Sequence, residues 1–275
     1  MPSLVIPPES ALYATFSETL AGADLVFFAG LPGVGKSLLL QQMALMAAEA
    51  GRRVTLLQWD VARQPFESPR YPLQDGATHP LVIRAVGVWL RGALVQWVAS
   101  ARNTNDLLLG EAPLIGGRFM EICRPADDAA EALLRGERTR FLLPVPSVEL
   151  RAHIEAQRER SIAAPRHQNE AHDAPPDLLR ALWHDLHQVA IQLRLATAAE
   201  DDAPYSPSTY AAVYRHLLQR RTLTRIDLRR PLPAATSVYA GLDALPQLRA
   251  ATAEADAIMA ELEAAPSTAY AWYVV

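Results

Sequence analysis

The sequence predicts an α/β fold in which a five-stranded parallel sheet lies between two layers of helices. Five short apolar runs of strand length alternate with longer segments that are rich in helix-forming residues. A glycine-rich turn joins the first run to a helix, and the strand after that helix implies a right-handed crossover in a parallel sheet. The 275 residues, half of them apolar, suffice for one large domain or for one domain with an appendage.

The composition argues against several classes of function. A formal net charge of −4 argues against a general nucleic-acid binder and against binding to anionic membranes. The first ten residues contain three prolines and no basic residue, unlike a signal peptide. The most apolar long stretch, residues 80–99, is interrupted by Arg84, Arg91 and Gln96, which favours a core helix over a membrane span. We therefore expect a cytoplasmic protein.

The first elements follow from the residue pattern. Residues 10–21 could form a short helix, and the apolar residues 25–29 predict a buried strand. Residues 37–50 contain neither glycine nor proline and are rich in leucine, methionine and alanine, so we expect a helix that ends at Gly51. Residues 54–59 predict a second strand that ends at Asp60.

Residues 30–37 fit the pattern G-x-x-x-x-G-K-[ST], known as Walker A or the P-loop. Glycines let the main chain approach an anion, and the free N–H groups and dipole of a helix start favour phosphate there. Lys36, the only lysine in the chain, would reach the β- and γ-phosphates of a nucleotide, and the Ser37 hydroxyl would ligate Mg²⁺. A glycine-rich turn without a ligand is the alternative. The predicted nucleotide contacts in this motif are Gly30, Gly33, Val34, Gly35, Lys36, Ser37 and Leu38.

Two predicted strand ends carry acidic residues. Asp60 would lie at the carboxyl end of the second strand, where ligands of parallel sheets bind, although a turn aspartate or a helix cap is the alternative. Residues 107–111 predict a third strand ending in Glu111, the Walker B arrangement in which an acid helps hold Mg²⁺. We predict Asp60, Glu111 and Ser37 as metal-binding residues. Residues 116–118 form a flexible turn whose cation, Arg118, could approach a substrate.

The remaining chain continues the alternation of helices and strands. We predict irregular chain over residues 61–80 and strands over 140–145 and 223–228, with Pro144 ending the fourth strand. Helices are predicted over residues 81–101, 127–135, 177–196, 208–221 and 248–264, and after Ser147 as a cap. Residues 161–176 predict a mobile loop. The aromatic tail would pack on the core or on a second subunit.

With its P-loop, its acids at Asp60 and Glu111 and an arginine-rich helix after the fourth strand, the chain resembles the P-loop small-molecule kinases. This group includes nucleoside, nucleoside-monophosphate and shikimate kinases, and the resemblance covers about residues 22–230. It implies a three-layer P-loop NTPase fold, with a kinase-like domain over residues 1–230 and a C-terminal helical extension over residues 231–275. In these kinases a lid with arginines follows the fourth strand and closes over ATP. The lid here corresponds to about residues 146–176, and its arginines that would contact ATP are Arg151, Arg158 and Arg160.

The resemblance implies a phosphotransferase that uses ATP and Mg²⁺ and transfers the γ-phosphate to a small molecule such as a nucleoside, a nucleotide or a similar metabolite. Asp60 would orient or deprotonate the acceptor hydroxyl, and Glu111 would bind the hydration shell of Mg²⁺. Arg158, with Arg151 or Arg160, would stabilise the transferring group, so the predicted catalytic residues are Lys36, Asp60, Glu111 and Arg158. A P-loop ATPase or nucleotide-binding switch that acts with a protein partner is the alternative, and a non-catalytic nucleotide-binding module is a third. A homodimer is a further expectation.

Overall fold

All five strands of the sheet run parallel, which confirms the predicted α/β class. The computed structural model describes residues 2–74, 76–101, 105–197, 203–233, 236–264 and 271–275. The strands lie in the order β2-β3-β1-β4-β5. Because β1 is central, the turn that follows it opens between the carboxyl ends of β3 and β4. The strands are β1 (Leu25–Ala29), β2 (Arg53–Leu57), β3 (Asp106–Ala112), β4 (Thr139–Pro146) and β5 (Leu223–Leu228).

Helices cover both faces of the sheet. Along β1, Leu25, Phe27 and Ala29 belong to a core formed with α4, α5, α7, α8 and α9, whereas Val26 and Phe28 belong to a second core formed with α1 and α2. A strand that is buried on both faces is typical of the centre of a parallel sheet. The helices in the described residues are α1 (Ala11–Gly22), α2 (Lys36–Glu49), α3 (Trp59–Ala62), α4 (Pro80–Ser100), α5 (Ala129–Arg135), α6 (Val148–Ala163), α7 (Pro176–Gln192), α8 (Pro207–Leu217) and α9 (Thr252–Ala264), with short 3₁₀ helices at Gln64–Phe66, Ile115–Gly117, Met120–Ile122 and Gln168–His172.

The second strand is shorter than predicted. β2 ends at Leu57, and Trp59–Ala62 form the helical turn α3. The cause is a contact between distant parts of the chain: the backbone N–H of Trp59 donates to Oε1 of Glu111 at 3.1 Å. This carboxylate, which comes from β3, satisfies a free donor at the start of the turn. Asp60 therefore lies in the first turn of a short helix and not at the end of a strand.

The prediction that the fourth strand ends at Pro144 is wrong, because β4 pairs with β5 over residues 141–146. The N–H of Phe141 donates to Thr222 on the β5 side. Since donors alternate along a strand, the nitrogen of Pro144 points to the other side, toward β1. The ladder with β1 ends at the pair of Phe28 and Leu142. Pro144 therefore interrupts no hydrogen bond between strands.

The last helix begins later than predicted, at Thr252, because the preceding segment lies against β2. The N–H of Leu56 donates to the carbonyl oxygen of Pro246 at 2.8 Å, and the N–H of Leu248 donates to that of Leu56 at 2.7 Å. These bonds cover the outer edge of β2. α9 then packs against α4, and the aromatic residues of the tail pack on the same core.

α4 is the one described helix with the length and mean hydropathy, 1.4, of a membrane span. Its packing is that of a core helix. Leu90 and Leu94 are fully buried within the protein, and Nη2 of Arg91 pairs with Oδ1 of Asp128 at 2.6 Å. These contacts agree with the prediction that this stretch is a core helix.

Candidate functional site

The glycine-rich loop, residues 30–35, joins β1 to α2. Gly30, Gly33 and Gly35 have positive φ angles of 144°, 76° and 91°, which glycine adopts at little steric cost. Gly35 is the N-cap residue of α2, and no side chain caps this helix. By contrast, serine or aspartate side chains cap α1, α5, α6 and α8. The start of α2 is therefore open to an external hydrogen-bond acceptor.

The main-chain N–H groups of residues 33–38 form a row of consecutive donors at the start of α2. None of these six groups donates to an acceptor within the part of the chain that the structure describes. At a helix start such donors are accompanied by a positive helix dipole of about half an elementary charge. Consecutive free donors of this kind are suited to an anion such as phosphate.

The side chain of Lys36 folds back over this loop. Its Nζ donates to the carbonyl oxygens of Gly30 and Leu31, each at 2.8 Å, and the residue is 6% exposed. Burial lowers the pKa of Lys36 from its ordinary value of 10.5 to about 8, and the negative charge of Glu111 opposes this effect. An ammonium has three donors, so one remains for an anion on the loop.

Glu111 lies near the end of β3, paired in register with Phe28 of β1. Its carboxylate accepts the hydrogen bond from Trp59 and lies within electrostatic reach of Lys36. Burial raises the pKa of Glu111, whereas the positive charge of Lys36 lowers it. The charges of the two side chains thus act on each other, and a phosphate that binds Lys36 would lie within electrostatic reach of Glu111 as well.

Asp60 lies in the first turn of α3, and its side chain is 76% exposed. Its Oδ1 accepts a hydrogen bond from Nε of Arg63 at 3.1 Å. The charge of Asp60 acts on Lys36, Glu111 and Arg118. Asp60 therefore belongs to the same electrostatic site as the loop lysine and is accessible to a small molecule.

Arg151, which the sequence assigns to a lid, forms part of the wall of the loop and is 2% exposed. Its Nη1 donates to the carbonyl oxygen of Pro32 at 3.0 Å and its Nη2 donates to that of Leu179 at 3.1 Å. Nε donates to Glu155 at 2.8 Å. A Cβ on Gly33 would lie 2.8 Å from Leu179 and 3.4 Å from Nη1 of Arg151. Arg151 thus holds α6 and α7 against the loop, which is the arrangement of a positioning residue.

Arg158, two turns further along α6, forms an ion pair between its Nη1 and Oδ1 of Asp173 at 2.9 Å. The hydroxyl of Tyr239 donates to the same carboxylate oxygen at 2.5 Å. Burial raises the pKa of Asp173, and Arg158 lowers it. Because the charge of Arg158 also acts on Lys36, the structure brings this arginine within electrostatic reach of the loop.

The other predicted residues differ in their placement. Ser37 and Leu38 lie in the first turn of α2 and are partly exposed. Arg160 is exposed, and its Nε donates at 3.2 Å to the carbonyl oxygen of Ala156 in its own helix. No group of three or more His, Cys, Asp or Glu side chains in the described ranges could hold a metal ion by itself. Mg²⁺ often binds through one or two protein oxygens together with phosphates and water. The hydroxyl oxygen of Ser37 and the carboxylate oxygens of Glu111 are ligands of that type.

Sequence reasoning missed Asp173 and Tyr239. The two residues are 66 positions apart and lie outside regular helices and strands. No periodicity or motif spacing connects them, so their contact arises only from the fold. The one available signal was the position of Asp173 within the predicted lid.

No protein-family model matches the chain, and no curated protein matches it. A functional interpretation therefore depends on the geometry of the loop and of the side chains around it.

Proposed function

We propose that the protein is an ATP-dependent phosphotransferase that moves the γ-phosphate of ATP to a small-molecule acceptor. The observation that carries this proposal is a row of six N–H groups, residues 33–38, at the start of α2. These groups have no acceptor among the described residues, and the ammonium of Lys36 folds over them. Such a row is suited to the phosphates of a nucleotide, and a lysine in this position contacts the β- and γ-phosphates.

The hydrogen bonds of Lys36 to Gly30 and Leu31 hold the ammonium over the loop in the free protein. A phosphate oxygen is a stronger acceptor for an ammonium than a neutral carbonyl oxygen is. Nucleotide binding would therefore replace bonds from the ammonium to neutral carbonyl oxygens with bonds to anionic phosphate oxygens. The same exchange favours the protonated lysine and raises its pKa toward the ordinary value.

Ser37 and Glu111 are the residues that would hold Mg²⁺, with the exposed Asp60 as a further carboxylate. When it is bound, Mg²⁺ neutralises negative charge on the phosphate oxygens. Ser37 contributes a hydroxyl from the first turn of α2. Glu111 contributes a carboxylate whose position is fixed by the N–H of Trp59.

Asp60 is the residue best placed to accept the proton of the acceptor hydroxyl, because it is exposed and within electrostatic reach of Lys36. The hydroxyl oxygen forms a bond to the γ-phosphorus, and the bond from that phosphorus to the bridging oxygen of ADP breaks. The proton passes to Asp60. Arg158 would stabilise the negative charge of the transferring group, while Arg151 keeps the loop in shape.

The experiment that tests this function measures ATP consumption with pools of nucleosides, nucleotides and small metabolites. We expect turnover that requires an acceptor and that Lys36→Ala abolishes. Lys36→Arg, which keeps a charge but not a compact ammonium, should also be inactive. Turnover without an acceptor would favour an ATPase or a switch with a protein partner, and binding without turnover a non-catalytic module. Wild-type activity of Lys36→Ala would refute the assignment of the site.

A further inference from the structure

Arg118 lies on the loop that follows β3, beside the residues of the proposed site. Four residues of this loop have positive φ angles: Leu114 (61°), Gly116 (66°), Gly117 (90°) and Phe119 (60°). Leu114 and Phe119 are fully buried, so packing holds them in a conformation that residues with side chains rarely adopt. Strained backbone of this kind is concentrated at functional sites. The packed loop fixes the position of Arg118.

Arg118 is partly buried, and no carboxylate in the described part of the chain forms an ion pair with its guanidinium. Among the described residues the pKa of two arginines, Arg52 and Arg118, lies below the ordinary value, and burial is the main cause in both. Arg52 pairs with Asp24 at 3.5 Å, whereas Arg118 forms no ion pair within those residues. Partial burial of a cation that forms no ion pair does not stabilise a folded protein, so stability does not explain Arg118. The arginines that are most buried are all paired with carboxylates: Arg91, Arg151 and Arg221.

Most of the donors of Arg118 are available to a ligand. Its Nη1 donates to the carbonyl oxygen of Ile115 at 3.2 Å, and across the described chain this is its one hydrogen bond, although a guanidinium has five N–H donors. None of its nitrogens is both unpaired and sealed from solvent. The charges of Asp60, which already accepts a hydrogen bond from Arg63, and of Arg63 itself act on Arg118. Arg118 therefore presents open donors within electrostatic reach of Asp60.

We propose that Arg118 binds an anionic group of the acceptor, a carboxylate or a phosphate, so that the enzyme acts on an anionic small molecule with a free hydroxyl. This inference rests on the proposed function, in which Asp60 receives the proton of that hydroxyl and the hydroxyl oxygen takes the γ-phosphoryl group from ATP. A planar guanidinium offers paired donors that match either anion. A bound acceptor would give Arg118 a charge partner, which no described residue of the free protein provides.

The test measures anion binding while the glycine-rich loop is already filled. The protein is saturated with Mg²⁺ and a non-hydrolysable ATP analogue, and its melting temperature is followed as inorganic phosphate or acetate replaces chloride at constant ionic strength. We expect the wild type to melt about 5 °C higher at an anion concentration about 100 times the dissociation constant. Arg118→Met should lose this shift, and Arg118→Lys should keep part of it. The two anions show whether the site prefers phosphate or carboxylate.

Arg140→Met is the matched control. Like Arg118, Arg140 is partly buried and forms no ion pair within the residues described. Its Nη1 donates to a main-chain carbonyl oxygen, that of Thr139, at 3.1 Å. It lies near the amino end of β4, at the opposite edge of the sheet from Arg118. Its variant should show the same anion-dependent shift as the wild type.

Three results would overturn the proposal. The first is an equal shift in Arg118→Met and the wild type, and the second is no shift in the wild type with either anion. The third is a marked fall in the melting temperature of Arg118→Met without added anion, which would assign Arg118 a structural role. We expect this variant to melt at or above the wild-type temperature, because it loses a charge that has no ion pair in the described chain.

The failure of the proposed function would look different from the failure of the acceptor site. A wild type that does not bind the ATP analogue would contradict nucleotide binding alone. In that case the phosphate and acetate titration is repeated on Lys36→Ala, in which the loop lacks its ammonium, and on the double variant Lys36→Ala/Arg118→Met. A melting shift that only the single variant shows would then be the contribution of Arg118.

Discussion

Nucleotide affinity is expected to fall as pH rises above 8, because the loop lysine loses its proton in the free protein. Burial lowers the pKa of Lys36 from 10.5 to about 8. Bound phosphates favour the charged ammonium and raise that pKa again. If the pKa returns fully to 10.5, the difference of about 2.5 between the two values corresponds to about 3 kcal/mol, or about a 300-fold change in affinity.

The direction of the effect depends on which state holds the proton. Well below pH 8, Lys36 is protonated in the free and bound protein, and its ionisation does not affect binding. Between pH 8 and pH 10 the free protein has lost the proton and the complex holds it, so affinity should fall by about tenfold per pH unit. The phosphates themselves contribute little there, because their second pKa is about 6.

Isothermal titration calorimetry in buffers with different ionisation enthalpies measures this proton uptake. We expect about 0.5 proton taken up per nucleotide at pH 8 and about 0.9 at pH 9. Lys36→Met, which has no titrating group at this position, should bind weakly and take up no proton. Equal heats in all buffers for the wild type, or an affinity that does not change between pH 7 and pH 10, would refute the role given to Lys36.

The other predictions concern the loop, the core and the acceptor side. Gly30→Ala should destabilise the protein by about 3 kcal/mol in a urea titration, because φ is 144° there and a Cβ would lie 2.3 Å from the hydroxyl oxygen of buried Tyr210. The control is Gly92→Ala, which should be neutral or stabilising because nothing lies within 4 Å of the added Cβ. Arg221→Met should destabilise it by about 3–5 kcal/mol in the same assay, because its fully buried side chain pairs with a carboxylate at 2.8 Å, and a loss below about 1 kcal/mol would contradict this. Asp60→Asn should lower the kcat of acceptor-dependent turnover about 100-fold or more in steady-state kinetics, and an equal loss of nucleotide affinity would instead favour a role in metal binding.

The sequence predicted the fold well where local burial decides the structure. β1 and β5 have the predicted bounds, because each is a short run with clear ends. The end of β2 was wrong because Trp59 bonds to Glu111, 52 residues away. The end of β4 was wrong because the effect of Pro144 depends on which neighbouring strand its nitrogen faces, and this requires the order of the strands.

Sequence reasoning also predicted only part of the candidate site. Lys36, Asp60 and Glu111 could be brought together by reasoning, since the chain leaves parallel strands at one edge of a sheet. Arg151 was read as a lid residue, but its contact with Leu179 in α7 places it in the wall of the loop. The partner of Arg158, Asp173, lies in an irregular segment whose path no local pattern predicts.

The central claim is that the main-chain amides and the ammonium of the glycine-rich loop hold the phosphates of a nucleotide. The most direct test compares the binding of ATP with Mg²⁺ to the wild type and to Lys36→Ala. Equilibrium dialysis with radiolabelled ATP at pH 7 gives both the stoichiometry and the affinity. We predict one nucleotide per wild-type chain and an affinity about 100-fold or more lower in Lys36→Ala. A wild type that binds no ATP, or two proteins that bind it equally well, would contradict the account.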